Sequence, residues 1–193
     1  MGLSLHNGLA VLEGLVGRKT PFIRTPKFNV TKKMDVWKGN TPAEKNFIAF
    51  STYLLFFPKL VSGPITRYKP FAAQMEQLNP SMDDVAAGFR RLLSGFIKRT
   101  VIANQLALMA NAVFNLPTAN VEPKFAWLGL AAYTLQIFFN FSGYTDMALG
   151  LGLMIGIRLP ENFNFPYIAQ SVSDFWRRWH ITLSTWFREY VFY

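Results

Sequence analysis

The chain has 193 residues and a net charge of +9, enough length for one or two soluble domains or about five to seven membrane helices. Hydrophobic residues make up 51% and charged residues only 16%, against roughly 25% in a typical soluble domain, which argues against an ordinary soluble fold. With no cysteine, disulfides, thiol catalysis and thiolate metal ligands are excluded.

The excess positive charge is concentrated at one end. Residues 1–40 hold seven basic and two acidic residues, so +5 of the total lies there. Elsewhere the basic residues flank apolar runs rather than line one helical face, which favours an anionic membrane surface over nucleic acid as their partner. Nucleic-acid binding is not expected. No secretory leader is read, because no basic region precedes the opening apolar stretch and the first charge is Glu13.

In chain order, residues 1–16 are apolar but carry His6, Asn7 and Glu13, too short and polar to span a bilayer unaided. Residues 18–38, beginning RKTPFIRTPKFN, read as an extended basic loop because proline blocks helix there. The texture changes near Asn40 and Thr41. Residues 46–61 form an apolar segment that runs into FFPKLVSGPITRYKPF, where Pro58, Gly63, Pro64 and Pro70 predict a break into a loop bearing Lys59, Arg67 and Lys69. Ser81, followed by Asp83 and Asp84, marks a helix start. That helix carries Arg90, Arg91, Lys98 and Arg99 and then no charge until after Val121. The pattern predicts either one helix entering a bilayer or two helices hinged near Gly95. Residues 117–123 read as a turn.

Residues 125–145 are the cleanest candidate span, with 21 residues and no charge. Asp146 interrupts it, and a glycine-rich run (Gly150, Gly152, Gly156) follows, suited to close helix packing. Residues 162–166, NFNFP, read as a turn. Ser171, with Asp174 three residues on, caps a final helix. On that helix Trp176, His180 and Phe187 would share one side, and Arg177, Ser184 and Arg188 another.

Two groups in this last third bear chemistry. A neutral imidazole at His180 can take a proton from a hydroxyl or orient a substrate through one hydrogen bond; it can also be merely structural. Asp146 in an apolar run is costly to bury and calls for a cationic partner, Arg158 or Arg177, in a structural or a functional pair. Arg67, Lys69, Arg177, Arg178 and Arg188 can attract an anionic ligand or simply snorkel to an interface. Ser184 and Thr185 lack a serine-hydrolase setting, no phosphate-binding glycine loop is present, and His6 is too distant to complete a metal site with His180.

Three stretches carry a resemblance: FFPKLVSGPITRYKPF; FNFSGYTDMALGLGLMIGIRLPENFNFPY; and SVSDFWRRWHITLSTWFREYVFY. In this order, over residues 41–193, they resemble the membrane-bound O-acyltransferase family, nearest its alginate O-acetyltransferase branch and its teichoic acid D-alanylating relatives. The resemblance implies an all-α, polytopic integral membrane protein of the bacterial inner membrane, with three to five membrane-associated helices, re-entrant segments and a central tunnel. It implies acyl transfer, acetyl by this branch, from a thioester donor (acetyl-CoA or an acyl carrier protein) to hydroxyls of an envelope polysaccharide such as alginate. No cofactor is bound in such a scheme; the lipid bilayer, the acyl donor and periplasmic acetyl-transfer proteins are the implied partners.

By the resemblance, His180 lies in the active-site region and assists by hydrogen bonding. Arg177, Arg178 and Arg188 act by charge, Asp146 positions, and Arg67 contributes to substrate binding. The family's principal histidine falls in a motif beyond Tyr193, so the segment alone is expected to be inactive. Residues 1–40 instead resemble the membrane tail of family-2 glycosyltransferases, which makes Asn40–Thr41 a candidate junction between two envelope enzymes. The alternatives are a non-catalytic component of a polysaccharide export complex and a polysaccharide synthase fragment.

Overall fold

A computed structural model describes residues 46–117 and 121–191. The readings made for residues 1–40, the basic loop and the glycosyltransferase-like tail among them, lie outside the described residues. Within the described residues the fold is all-α, with no strand and one isolated antiparallel bridge between Phe163 and Trp179.

Helix α1 is Phe47–Leu55, and the Asn46 side chain caps it by accepting from the amides of Ile48 and Ala49, each at 3.1 Å. A short 3₁₀ turn, Phe57–Lys59, follows. The proline-rich stretch is non-helical only as far as Arg67, because α2 is Tyr68–Met75. Its Pro70 sits in the first turn, where a missing N–H costs nothing, so the expected loop is shorter than its prolines suggested.

Helix α3, Met82–Ile97, opens with a full capping box between Ser81 and Asp84. It continues without a break through a π-helical turn, Lys98–Ala103, into α4, Asn104–Phe114. The change of helix type thus falls at Lys98 and not at Gly95, which has a different task. Helix α5 is Pro123–Met154, 32 residues or about 48 Å at 1.5 Å per residue. Asp146 does not interrupt it. The helix ends in a Schellman cap: the Ile157 amide donates to Gly152 O at 2.8 Å, the Gly156 amide to Leu153 O at 3.1 Å, and Gly156 has φ +88°.

Helices α3 and α5 pack antiparallel on glycine. A Cβ on Gly88 would lie 2.6 Å from Gly150 O, and one on Gly95 would lie 2.5 Å from Gly143 O. Both pairs recur at seven residues on both helices, so one seam is stripped of side chains and the backbones touch. A small apolar core of Phe56, Phe71, Ala148, Leu149, Ile157 and Leu159 joins α1, α2 and the end of α5.

No helix among the described residues is long and apolar enough to cross a membrane. The candidate span at 125–145 forms the first two-thirds of α5, but Gln136 and Asn140 lower its hydropathy.

The single final helix expected from Ser171 is two. Helix α6 is Val172–Arg178 and α7 is Ile181–Tyr190. Between them Trp179 is extended and His180 is left-handed, at φ 44° and ψ 55°. The side-chain register read across that junction therefore does not apply.

Candidate functional site

The NFNFP turn holds this junction in place. The Asn164 amide donates to Arg178 O at 2.9 Å and the Ile181 amide to Asn162 O at 3.0 Å. Asn162, 1% exposed, then accepts at Oδ1 from the Thr182 amide (3.1 Å) and from the Thr182 hydroxyl (2.7 Å). The same hydroxyl accepts from the Ile65 amide at 3.1 Å. One buried threonine thus ties together the 56–67 loop, the 158–165 loop and the start of α7.

These three segments wall a cavity of about 690 Å³. Helix α7 supplies one wall through Ile181, Thr182, Thr185, Trp186 and Glu189, a single helical face. Tyr53 of α1, residues 65–68, and Phe71 and Gln74 of α2 supply the other, and residues 158–161 close it below. The lining mixes rings with hydroxyl, amide and paired charged groups. Tyr53 donates to Thr66 O at 2.7 Å, and Trp186 stacks on Tyr190 with centroids 5.8 Å apart. The Thr66 hydroxyl is buried and has no hydrogen-bond partner.

The expected site residues are dispersed. Arg67 lines the cavity and pairs with Glu189. His180 does not line it: its ring packs edge-on against Phe141 at 4.8 Å, while its carbonyl accepts from Leu183 and Ser184 to start α7. Burial holds its pKa below the usual 6.5, which favours the neutral imidazole. Arg178 pairs with Asp174 one turn back, at 3.0 Å. Arg177 and Arg188 are exposed. Lys59 sits with its ammonium 3.0 Å from the Tyr53 ring centroid, and burial lowers its pKa to about 8.

Asp146 has partners other than those expected. Arg158 pairs with Asp84 instead (3.1 Å), and Arg177 is exposed and forms no ion pair with Asp146. The carboxylate, 14% exposed, takes Arg91 at 2.9 Å and Lys98 at 2.6 Å, both from α3 and its π-helical extension. Arg91 also forks onto Glu161 with two contacts of 2.5 Å. Because Glu161 lines the large cavity, this chain of charges runs from the glycine seam to the cavity rim. Sequence reasoning passed over Arg91 and Lys98, yet their seven-residue spacing repeats that of Gly88 and Gly95. Glu161, Asn162, Thr182 and Glu189 left no periodic signal.

The unit is thus all-α, with its WRRWHIT segment broken at a left-handed histidine next to a ring-lined cavity. Residues 41–193 match the membrane-bound O-acyltransferase family, and the chain belongs to it. It is 48% identical to the probable alginate O-acetylase of Azotobacter vinelandii over 159 residues, 82% of this chain and 32% of that protein. It is 39% identical to the peptidoglycan O-acetyltransferase of Helicobacter pylori, covering 76% of this chain and 28% of that one. It is 37% identical to the teichoic acid D-alanyltransferase of Bacillus subtilis, covering 72% and 36%. The chain spans about a third of the length of the curated relatives it matches.

Proposed function

We propose that this chain is part of a multi-pass O-acyltransferase of the bacterial inner membrane, moving an acetyl group from a thioester donor to hydroxyls of an envelope polysaccharide such as alginate. The observation that carries the reading is the family match over residues 41–193, within which Ile181 and Thr182, the end of the WRRWHIT segment, help wall a largely apolar, ring-lined cavity that also bears hydroxyl, amide and charged groups. Rings beside hydroxyl and amide groups suit a sugar, whose apolar faces stack while its hydroxyls hydrogen-bond. The exposed apolar flank of α4 and α5 (Leu108, Phe114, Phe125, Trp127, Leu130) suits lipid contact.

In the reaction an acceptor hydroxyl oxygen bonds to the thioester carbonyl carbon, the carbon–sulfur bond breaks, and the hydroxyl proton leaves to a base while the thiolate departs. His180, neutral at pH 7, assists by accepting or directing one hydrogen bond. Arg67 orients an acceptor at the cavity mouth, and Arg177, Arg178 and Arg188 draw in the anionic donor or polymer. Asp146 fixes the helix pair behind the site. Acetyl-CoA or an acyl carrier protein serves as donor, and periplasmic acetyl-transfer proteins as partners.

The test is transfer of labelled acetyl from a thioester to a uronate polymer in membranes carrying the multi-pass protein of which this chain is part. Transfer above background, lowered about 10²-fold by His180→Ala, is the expected result. Background transfer, with the chain present in the membrane fraction, overturns the reading. That result would favour a non-catalytic component of a polysaccharide export complex, for which the placement of His180 outside the cavity already speaks.

A further inference from the structure

A second, smaller cavity of about 290 Å³ lies beside Phe141. It is lined by Ser62, Arg99, Gln136, Asn140, Phe141 and Tyr144, with Val61 and Ile137. Phe141 is the partition, since the same ring that lines this cavity packs against His180. No carboxylate lines it. Gln136, Asn140 and Tyr144 stand one helical turn apart on α5, so two amides and a phenol share one face.

The cation opposite them differs from the other cavity-lining cations described above. Arg67 is paired with Glu189, Arg91 with Asp146 and Glu161, and Arg158 with Asp84. Arg99 has no acidic partner among the ion pairs of the described residues; its guanidinium lies 5.6 Å from the Tyr144 ring centroid. The π-helical turn explains why two consecutive cations both reach α5: Lys98 contacts Asp146 while Arg99 lies over Tyr144. Turns of this kind are rare and concentrate at functional sites.

We infer that this cavity is an oxyanion-binding subsite, in which Arg99 and the Gln136 and Asn140 amides hold a phosphate or carboxylate of a ligand. A guanidinium presents a fork of donors to such a group, and the amide N–H groups complete its coordination. Two sources share that chemistry: a phosphate on a thioester donor and a carboxylate on an acidic sugar. The assignment to a substrate rests on the acyl-transfer reading; the binding itself does not.

Calorimetric titration of the full chain in detergent tests it, with coenzyme A against pantetheine and a uronate oligomer against its neutral hexose counterpart. At least one anionic ligand binds more tightly than its neutral counterpart, and Arg99→Gln weakens that binding about tenfold or more, as expected for one charge-assisted contact. Arg90→Gln, at a position as exposed as Arg99 but outside the cavity lining, leaves it unchanged. Whichever pair shows the difference identifies the source. Equal binding of charged and neutral ligands, or equal losses from Arg99→Gln and Arg90→Gln, overturns the subsite. Should Arg99→Gln fail to fold, Gln136→Ala and Asn140→Ala each weaken binding severalfold; unaltered affinity in both overturns it too. Anion binding by this chain, with no acyl transfer by the multi-pass protein of which it is part, would count against the proposed function and leave the subsite standing.

Discussion

Gly95 and Gly143 meet so closely across α3 and α5 that a Cβ on Gly95 would sit 2.5 Å from the Gly143 carbonyl oxygen. The obstacle is backbone, which cannot rotate away. Gly95→Val therefore forces the helices apart and separates Arg91 and Lys98 from Asp146. The expected loss is at least about 3 kcal/mol, the upper end for overpacking. Thermal unfolding in detergent measures it, and an unchanged midpoint would refute the seam.

Asp146 takes two cations, so removing its charge leaves Lys98 uncompensated and Arg91 held by Glu161 alone. Asp146→Asn is expected to cost about 1–2 kcal/mol, less than breaking a fully buried pair, because Arg91 and Lys98 are part-exposed and Arg91 keeps Glu161. Adding Lys98→Met recovers part of that loss, since it removes one orphaned charge. A double-mutant cycle of denaturant midpoints checks this; strict additivity of the two changes would contradict a shared network.

Asn162 supplies the acceptor for both donors of Thr182. Asn162→Ala strands a buried amide and loosens the start of α7, at a cost of about 2 kcal/mol. Hydrogen exchange should rise in α7 and in residues 62–67 while α3 stays protected. Uniformly faster exchange across all helices would show that the contact is not local.

His180 is held left-handed, a conformation costing about 1–2 kcal/mol for any residue with a Cβ. His180→Gly is therefore expected to be more stable than His180→Ala by about 1 kcal/mol, whatever either does to activity.

The imidazole's lowered pKa gives stability a pH dependence of definite sign. Below about 6.5 the unfolded chain binds a proton more readily than the folded one, so His180 weakens the fold as pH falls from 6.5 through the lower folded value. Above 6.5 it contributes nothing. Melting curves between pH 5 and 8 should show a slope in the native chain that His180→Gly flattens.

Capping chemistry was readable directly: Ser81 with Asp84 and Ser171 with Asp174 begin helices as their spacing indicates. The three ordered motifs that carried the family resemblance were equally legible, and the family match covers the same residues. The site was harder to read. Helical periodicity assumed that Trp176 and His180 share a helix, and nothing local in WRRWH announces the left-handed turn. That turn is imposed by Asn162 and Asn164, more than a dozen residues upstream, through backbone hydrogen bonds that leave no composition signal. Likewise Asp146 demanded a cation, but sequence could not choose among several; the glycine seam settled it by bringing α3, not the later arginines, against α5.

The knot at Thr182 also sets an order of assembly. The glycine-paired helices are complete once Met154 has left the ribosome, and they can dock while the rest of the chain is still being made. The Ile65 amide must wait for a hydroxyl 117 residues further along. Closing so long a loop is slow and entropically costly, so the large cavity takes shape last. A ribosome stalled short of Thr182 would expose a nascent chain with its ion-paired core in place and its binding cleft still open.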